Sequence, residues 1–151
     1  MSFTANVEQR VVAGRKDPKA VELALEQLRT FCNRVPTTVQ TLTTNATGAM
    51  TALYTSGEVP FDSTVTMQAK VHGRSDDGTV YATYEMVAMF YRGETGSVAQ
   101  LGATQDKHTP IESNALLDAD LVTTDDRLVL QVNDGGLGIV HWSAWIELRA
   151  Q

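Results

Sequence analysis

The chain has a single cysteine, Cys32, among its 151 residues. No intrachain disulfide can form, and one chain cannot assemble a cysteine zinc site. No apolar run reaches the roughly 20 residues that a membrane-crossing helix needs, so no membrane partner is expected. Residues 1–12 contain no apolar h-region, so no secretory signal is read there, and synthesis in a cytoplasm is expected. Positive charge is in the minority: 12 Lys and Arg against 18 Asp and Glu give a net charge of −6. Phosphate is repelled by such a surface, which predicts no nucleic-acid partner. The only basic cluster is Arg10, Arg15, Lys16 and Lys19. With 42% hydrophobic and 20% charged residues, the chain is not expected to be disordered throughout. Its length predicts one compact domain with a small appendage.

Signatures of catalysis and of metal binding are also missing. His72, His108 and His141 are far apart and show neither HxH nor HExxH spacing, so ordinary surface imidazoles are expected. The acidic pairs Asp76–Asp77, Asp118 with Asp120, and Asp125–Asp126 lack EF-hand spacing, and turn chemistry accounts for them better than calcium does. No GxSxG elbow is present. Cys32 falls on an apolar helix stripe, where a thiol acts as a small hydrophobe rather than an activated nucleophile. Glu85 projects from a central strand and is read as an interstrand partner of Lys70 or Arg92 rather than an acid catalyst. The run Gly135-Gly136-Leu137-Gly138 has no helix after it and so is a turn, not a phosphate loop. The chain is therefore read as a non-enzyme with no catalytic residues, no metal and no cofactor.

The chain does have one clear helix signal. After an arm at residues 1–16, Asp17 is a good N-cap and Pro18 suits the first helical position. The segment from Lys19 to Val35 is rich in helix formers and is closed by Pro36. Val21, Leu25, Leu28, Cys32 and Val35 make one 4-3-4-3 seam, and Val21, Ala24, Leu28, Phe31 and Val35 an adjacent one. Two seams suit a helix that touches two neighbours, as in a trimeric bundle. A helix this short is marginal alone in water and must dock on something. Residues 17–36 are thus read as a trimerising helix, with Val21, Ala24, Leu25, Leu28, Phe31, Cys32 and Val35 at the interface.

From residue 37 to 151 the texture changes to short strands rich in Thr and Val, punctuated by turns. This predicts an antiparallel β-sandwich, jelly-roll-like, in a chain that is mainly β. Val65, Met67, Ala69 and Val71 should share one face of a strand. Asp77-Gly78 suits a two-residue primed turn. In the next strand Val80, Ala82, Tyr84, Met86, Ala88 and Phe90 face one side. Apolar residues on both faces of its second half (Val87, Met89 and Tyr91 on the other side) predict burial on both sides there. The segment 105–113 is read as a polar loop. In the last strand Val140, Trp142, Ala144, Ile146 and Leu148 oppose His141, Ser143, Trp145 and Glu147. Two tryptophans on opposite faces cannot both enter one core, so either Trp145 or Trp142 packs against another subunit or lies in a ligand groove. A subunit contact is the preferred reading, and Trp145 is placed at the predicted interface.

The segment from Val65 to Leu148 carries a further pattern: STVTMQAKVHGRSDDGTVYATYEMVAMFYRG, then VAQLG, then LVLQVNDGGLGIVHWSAWIEL. It resembles a β domain common at the C-termini of tailed-phage virion proteins, including tail fibres and capsid fibres. Trp142 stands where that pattern has its tryptophan. The resemblance covers a little over half of the chain and implies a homotrimeric β-sandwich displayed on a virus particle, with no catalytic residues to carry over. Read as a complete small protein with an arm, one helix and a head, the layout is that of a capsid-attached fibre or decoration protein. The expected partners are two further copies of the chain and other virion proteins held by the arm. The alternative reading is a tail-associated receptor-binding protein whose outer loops grip a host-surface glycan. Either way the expected location is the virion, after synthesis in the host cytoplasm.

Overall fold

A computed structural model describes residues 19, 22, 23, 25–27 and 39–150. Residues 19, 22, 23 and 25–27 have helical backbone. The arm at 1–16 lies outside the described residues, as does most of the helix expected at 17–36. Leu25 is 6% exposed and belongs to the same apolar cluster as the β core. This seam residue is therefore covered by its own chain.

The other described residues form strands, turns and connecting loops, and all strand pairs among them are antiparallel. In chain order the strands are β1 (Gln40–Asn45), β2 (Thr51–Glu58), β3 (Ser63–Arg74), β4 (Tyr81–Arg92), β5 (Ala99–Asp106), β6 (Ile111–Glu112), β7 (Asp118–Thr124), β8 (Arg127–Asn133) and β9 (Ile139–Ala150). The larger sheet runs β1-β9-β3-β4-β5, with β6 also pairing to β4; the smaller runs β2-β8-β7. The fold is thus mainly β, as the alternating texture predicts.

One core lies between the sheets because the long strands alternate strictly. Val65, Met67, Ala69 and Val71 of β3, Ala82 to Phe90 at even positions of β4, and Val140 to Leu148 at even positions of β9 are all buried. Leu121, Leu128, Leu130 and Val132 cover them from the smaller sheet. Trp142 is the largest fully buried side chain, and its indole N–H donates to Thr44 Oγ1 at 3.1 Å, which satisfies the ring's one polar atom.

Three expectations are corrected. The second half of β4 is not buried on both faces: Met89 and Tyr91 are exposed, and Val87 is half-buried. No layer covers the outer side of the larger sheet among the described residues. The Asp77-Gly78 segment is not a two-residue primed turn. Ser75 N–H bonds to Val80 O across a longer loop, and only Gly78 takes positive φ (73°). Asp77 instead accepts from Ser75 Oγ, Thr79 N–H and Thr79 Oγ1. These bonds hold the loop open and depress the Asp77 pKa to about 2, the Thr79 amide contributing most. The tight primed turn is Asp125-Asp126, with φ of 51° and 61° at its two central residues and Thr124 paired to Arg127 across it. Finally, the polar loop at 105–113 contains β6, whose two residues pair with Ala82 and Thr83.

Candidate functional site

Two surfaces stand out, and both follow from strand alternation. The first is the outer face of the larger sheet. Its rows are set by register: Trp145 lies beside Lys70 and Lys70 beside Glu85, while Met89 lies beside Leu101 and Tyr91 beside Ala99. Trp145, Tyr81, Met89, Tyr91 and Leu101 are all exposed, Trp145 at 40%. The Lys70 ammonium sits 5.9 Å from the Trp145 ring centre, within cation–π range. Glu85 draws in Lys70 at 3.9 Å, Lys107 at 3.6 Å and His108 at 3.1 Å. The expected partnership of Glu85 with Lys70 is therefore present, whereas Arg92 points the other way. His72 and His141 stand on this same face: His72 contacts Thr83, and His141 contacts both Thr43 and Asp76.

The second surface is a cleft of about 570 Å³ where β7 meets β4, β5 and β6. Asp106, Glu112, Asp118, Asp120 and Asn133 line it, with Leu116 and Pro110 at its apolar side. The Tyr84 hydroxyl donates to Glu112 Oε2 at 2.7 Å, and burial, followed by the Glu112 carboxylate, raises its pKa. Desolvation raises the Asp118 pKa and the negative charges of Asp120, Glu112 and Asp106 raise it further, against one lowering bond from the Ala119 amide. None of these four carboxylates forms an ion pair with a described residue. Among the described residues no group of three or more His, Cys, Asp and Glu is arranged to hold a metal ion.

Two polar nodes hold the sheets in place, and sequence reasoning found neither. Arg92 is 5% exposed. It donates to Val59 O at 2.7 Å, Glu58 Oε1 at 3.0 Å, Gly96 O at 3.1 Å and Asp126 Oδ2 at 3.3 Å, and stacks 3.7 Å from the Phe61 ring centre. Its even position in β4 was the available signal. Asp134 is fully buried and accepts from Thr47, Gly48 and Gly136 N–H, each at 2.9 Å. Burial alone would raise its pKa; the three amides outweigh that and depress it to about 2.

Of the residues predicted at a subunit interface, Val21, Ala24, Leu28, Phe31, Cys32 and Val35 lie outside the described residues. Leu25 is buried within its own chain, and Trp145 is on the open sheet face. These last two are not brought together. Trp142, the other tryptophan, takes the core position.

No protein-family model matches the chain, and no curated protein matches it. Among solved structures, the chain is similar to the crystal structure of the Acinetobacter baumannii phage AM24 tailspike protein, with a TM-score of 0.37 and 8% identity. The aligned part covers 74% of this chain and 28% of the tailspike. The chain thus matches less than a third of that protein's length, and the score lies below that of a shared fold.

Proposed function

We propose that this chain is a bacteriophage virion structural protein: a homotrimeric capsid fibre or decoration protein. In this reading it is non-enzymatic. Residues 1–16 anchor it to other virion proteins, and a jelly-roll-like β-sandwich head faces outward. The segment 17–36 contributes to the contact among three copies through seam positions other than Leu25, which packs on its own β core. The observation that supports a multi-subunit role is the open face of the larger sheet. Trp145, Tyr81, Tyr91 and Met89 stand exposed there, and these residue types are enriched where subunits meet. Mass spectrometry of gradient-purified particles tests the reading. The full-length chain is expected in them, and a chain lacking residues 1–16 is expected to fold and be absent. Normal incorporation of the shortened chain contradicts the anchor.

A second reading is a tail-associated receptor-binding protein that recognises a host-surface glycan. The acceptor-rich cleft of Asp106, Glu112, Asp118 and Asn133 beside exposed Leu116 and Ile111 favours it, because sugar hydroxyls donate to carboxylates while the sugar's apolar face covers aliphatic carbon. Binding of the full chain on a glycan array, lost in Asp118→Ala, is the expected result under this reading. An array with no binding removes it.

A further inference from the structure

Residues 39–150 carry six Lys and Arg against fourteen Asp and Glu, and the signs are segregated. Four of the six cations, Lys70, Arg74, Lys107 and Arg149, stand on the outer face of the larger sheet, together with all three histidines. Only Glu85, Glu147 and Asp76 oppose them there. The other two cations are occupied inside the chain: Arg92 as described, and Arg127 on Ser56 O at 3.1 Å. The other eleven carboxylates of residues 39–150 lie off this face, four of them crowded round the cleft between β7 and the β4, β5 and β6 edge, without a counter-ion from a described residue.

We infer that the outer face of the larger sheet, around Trp145, Lys70 and Arg74, docks on the acidic cleft side of a second copy of this chain. The inference rests on the homotrimer reading above and names the surfaces through which the heads meet. A three-fold ring cannot close through one patch meeting itself; each contact joins two different surfaces of the same molecule. Segregated charge supplies such a pair, one face basic and aromatic, the other acidic. Trp145 and Tyr81 provide the apolar anchors that an interface core needs. The mutual repulsion of Asp106, Glu112, Asp118 and Asp120 falls when cations of a neighbour arrive.

The test is the trimer dissociation constant of the full-length chain, measured by sedimentation equilibrium. Trp145→Glu is expected to weaken the trimer roughly tenfold or more, with an unchanged far-ultraviolet circular dichroism spectrum, since the side chain is exposed. Lys70→Glu with Arg74→Glu is expected to weaken it similarly, and the chain that also carries Asp118→Lys and Asp120→Lys to recover, because each contact then has its charges exchanged. Unchanged dissociation constants in the first two variants overturn the docking surface and leave the trimer standing. Weakening without recovery overturns the acidic side as its partner. A wild-type chain that sediments as a monomer overturns the trimer reading itself, and the docking with it.

Discussion

The indole of Trp142 occupies the space that a side chain on Gly73 would need. The two residues are register partners on β9 and β3, and a Cβ on Gly73 would come within 2.5 Å of the ring. The ring has little room to retreat, because it is 1% exposed and hydrogen-bonded to Thr44. Gly73→Ala is therefore expected to destabilise the fold by about 1–3 kcal/mol through overpacking, although alanine suits a strand better than glycine does. Urea unfolding followed by tryptophan fluorescence checks this. Thr44→Val, which leaves the indole N–H unpaired, is expected to cost a similar amount, about 1–3 kcal/mol.

Arg92 ties the end of β4 to β2 and to the β7–β8 turn. Arg92→Met leaves Asp126 and two carbonyls without their donor, and is expected to cost about 3 kcal/mol or more, the usual range for breaking a buried ionic network. Arg92→Lys keeps the charge but loses the planar fork and its stacking on Phe61, so it too is expected to destabilise. Glu58→Gln is expected to cost less than about 1 kcal/mol, because that carboxylate is largely in solvent. Thermal unfolding of the three variants ranks these contributions.

Asp134 makes stability depend on acid. Its pKa of about 2 in the folded chain lies below the ordinary carboxylate value of 3.8. A depressed folded pKa adds stability above the unfolded value, and this is lost as pH falls from about 4 through about 2. The difference corresponds to about 2 kcal/mol for this one buried group. Asp134→Asn is expected to lower stability at pH 7 and to flatten the dependence between pH 4 and 2. Denaturant midpoints at a series of pH values measure both effects.

The Asp125-Asp126 turn separates backbone strain from side-chain bonding. Both residues are left-handed, a conformation that favours glycine and asparagine. Asp125→Asn is expected to be neutral or stabilising by a few tenths of a kcal/mol. Asp126→Gly should relieve the same strain, yet it removes the acceptor for Val98 N–H and for Arg92, so a net loss of about 1–2 kcal/mol is expected. Equal effects of the two changes would show that the Asp126 carboxylate contributes nothing beyond the turn.

Much of the head was legible because a period of two is hard to disguise. Even-numbered residues of β4 and β9 face the core as the alternation predicts, and the same parity carries Arg92 inward, where charge had masked the pattern. Less was legible where tertiary contacts override local preference. Ile111–Glu112 forms a strand only because β4 offers it an edge. Asp77-Gly78 reads as a primed turn, but the Asp77 carboxylate has three nearby donors and holds a longer loop. Met89 and Tyr91 read as buried because they are apolar, yet they stand on an open sheet face. The acidic cleft collects Asp106, Glu112, Asp118 and Asp120 from three different strands, and no linear spacing announces it.

Sedimentation equilibrium of the full-length wild-type chain at micromolar concentration is the most direct measurement of association. A single species of three times the 16.4 kDa chain mass is expected. A monodisperse species of one chain mass across that concentration range would contradict the trimer.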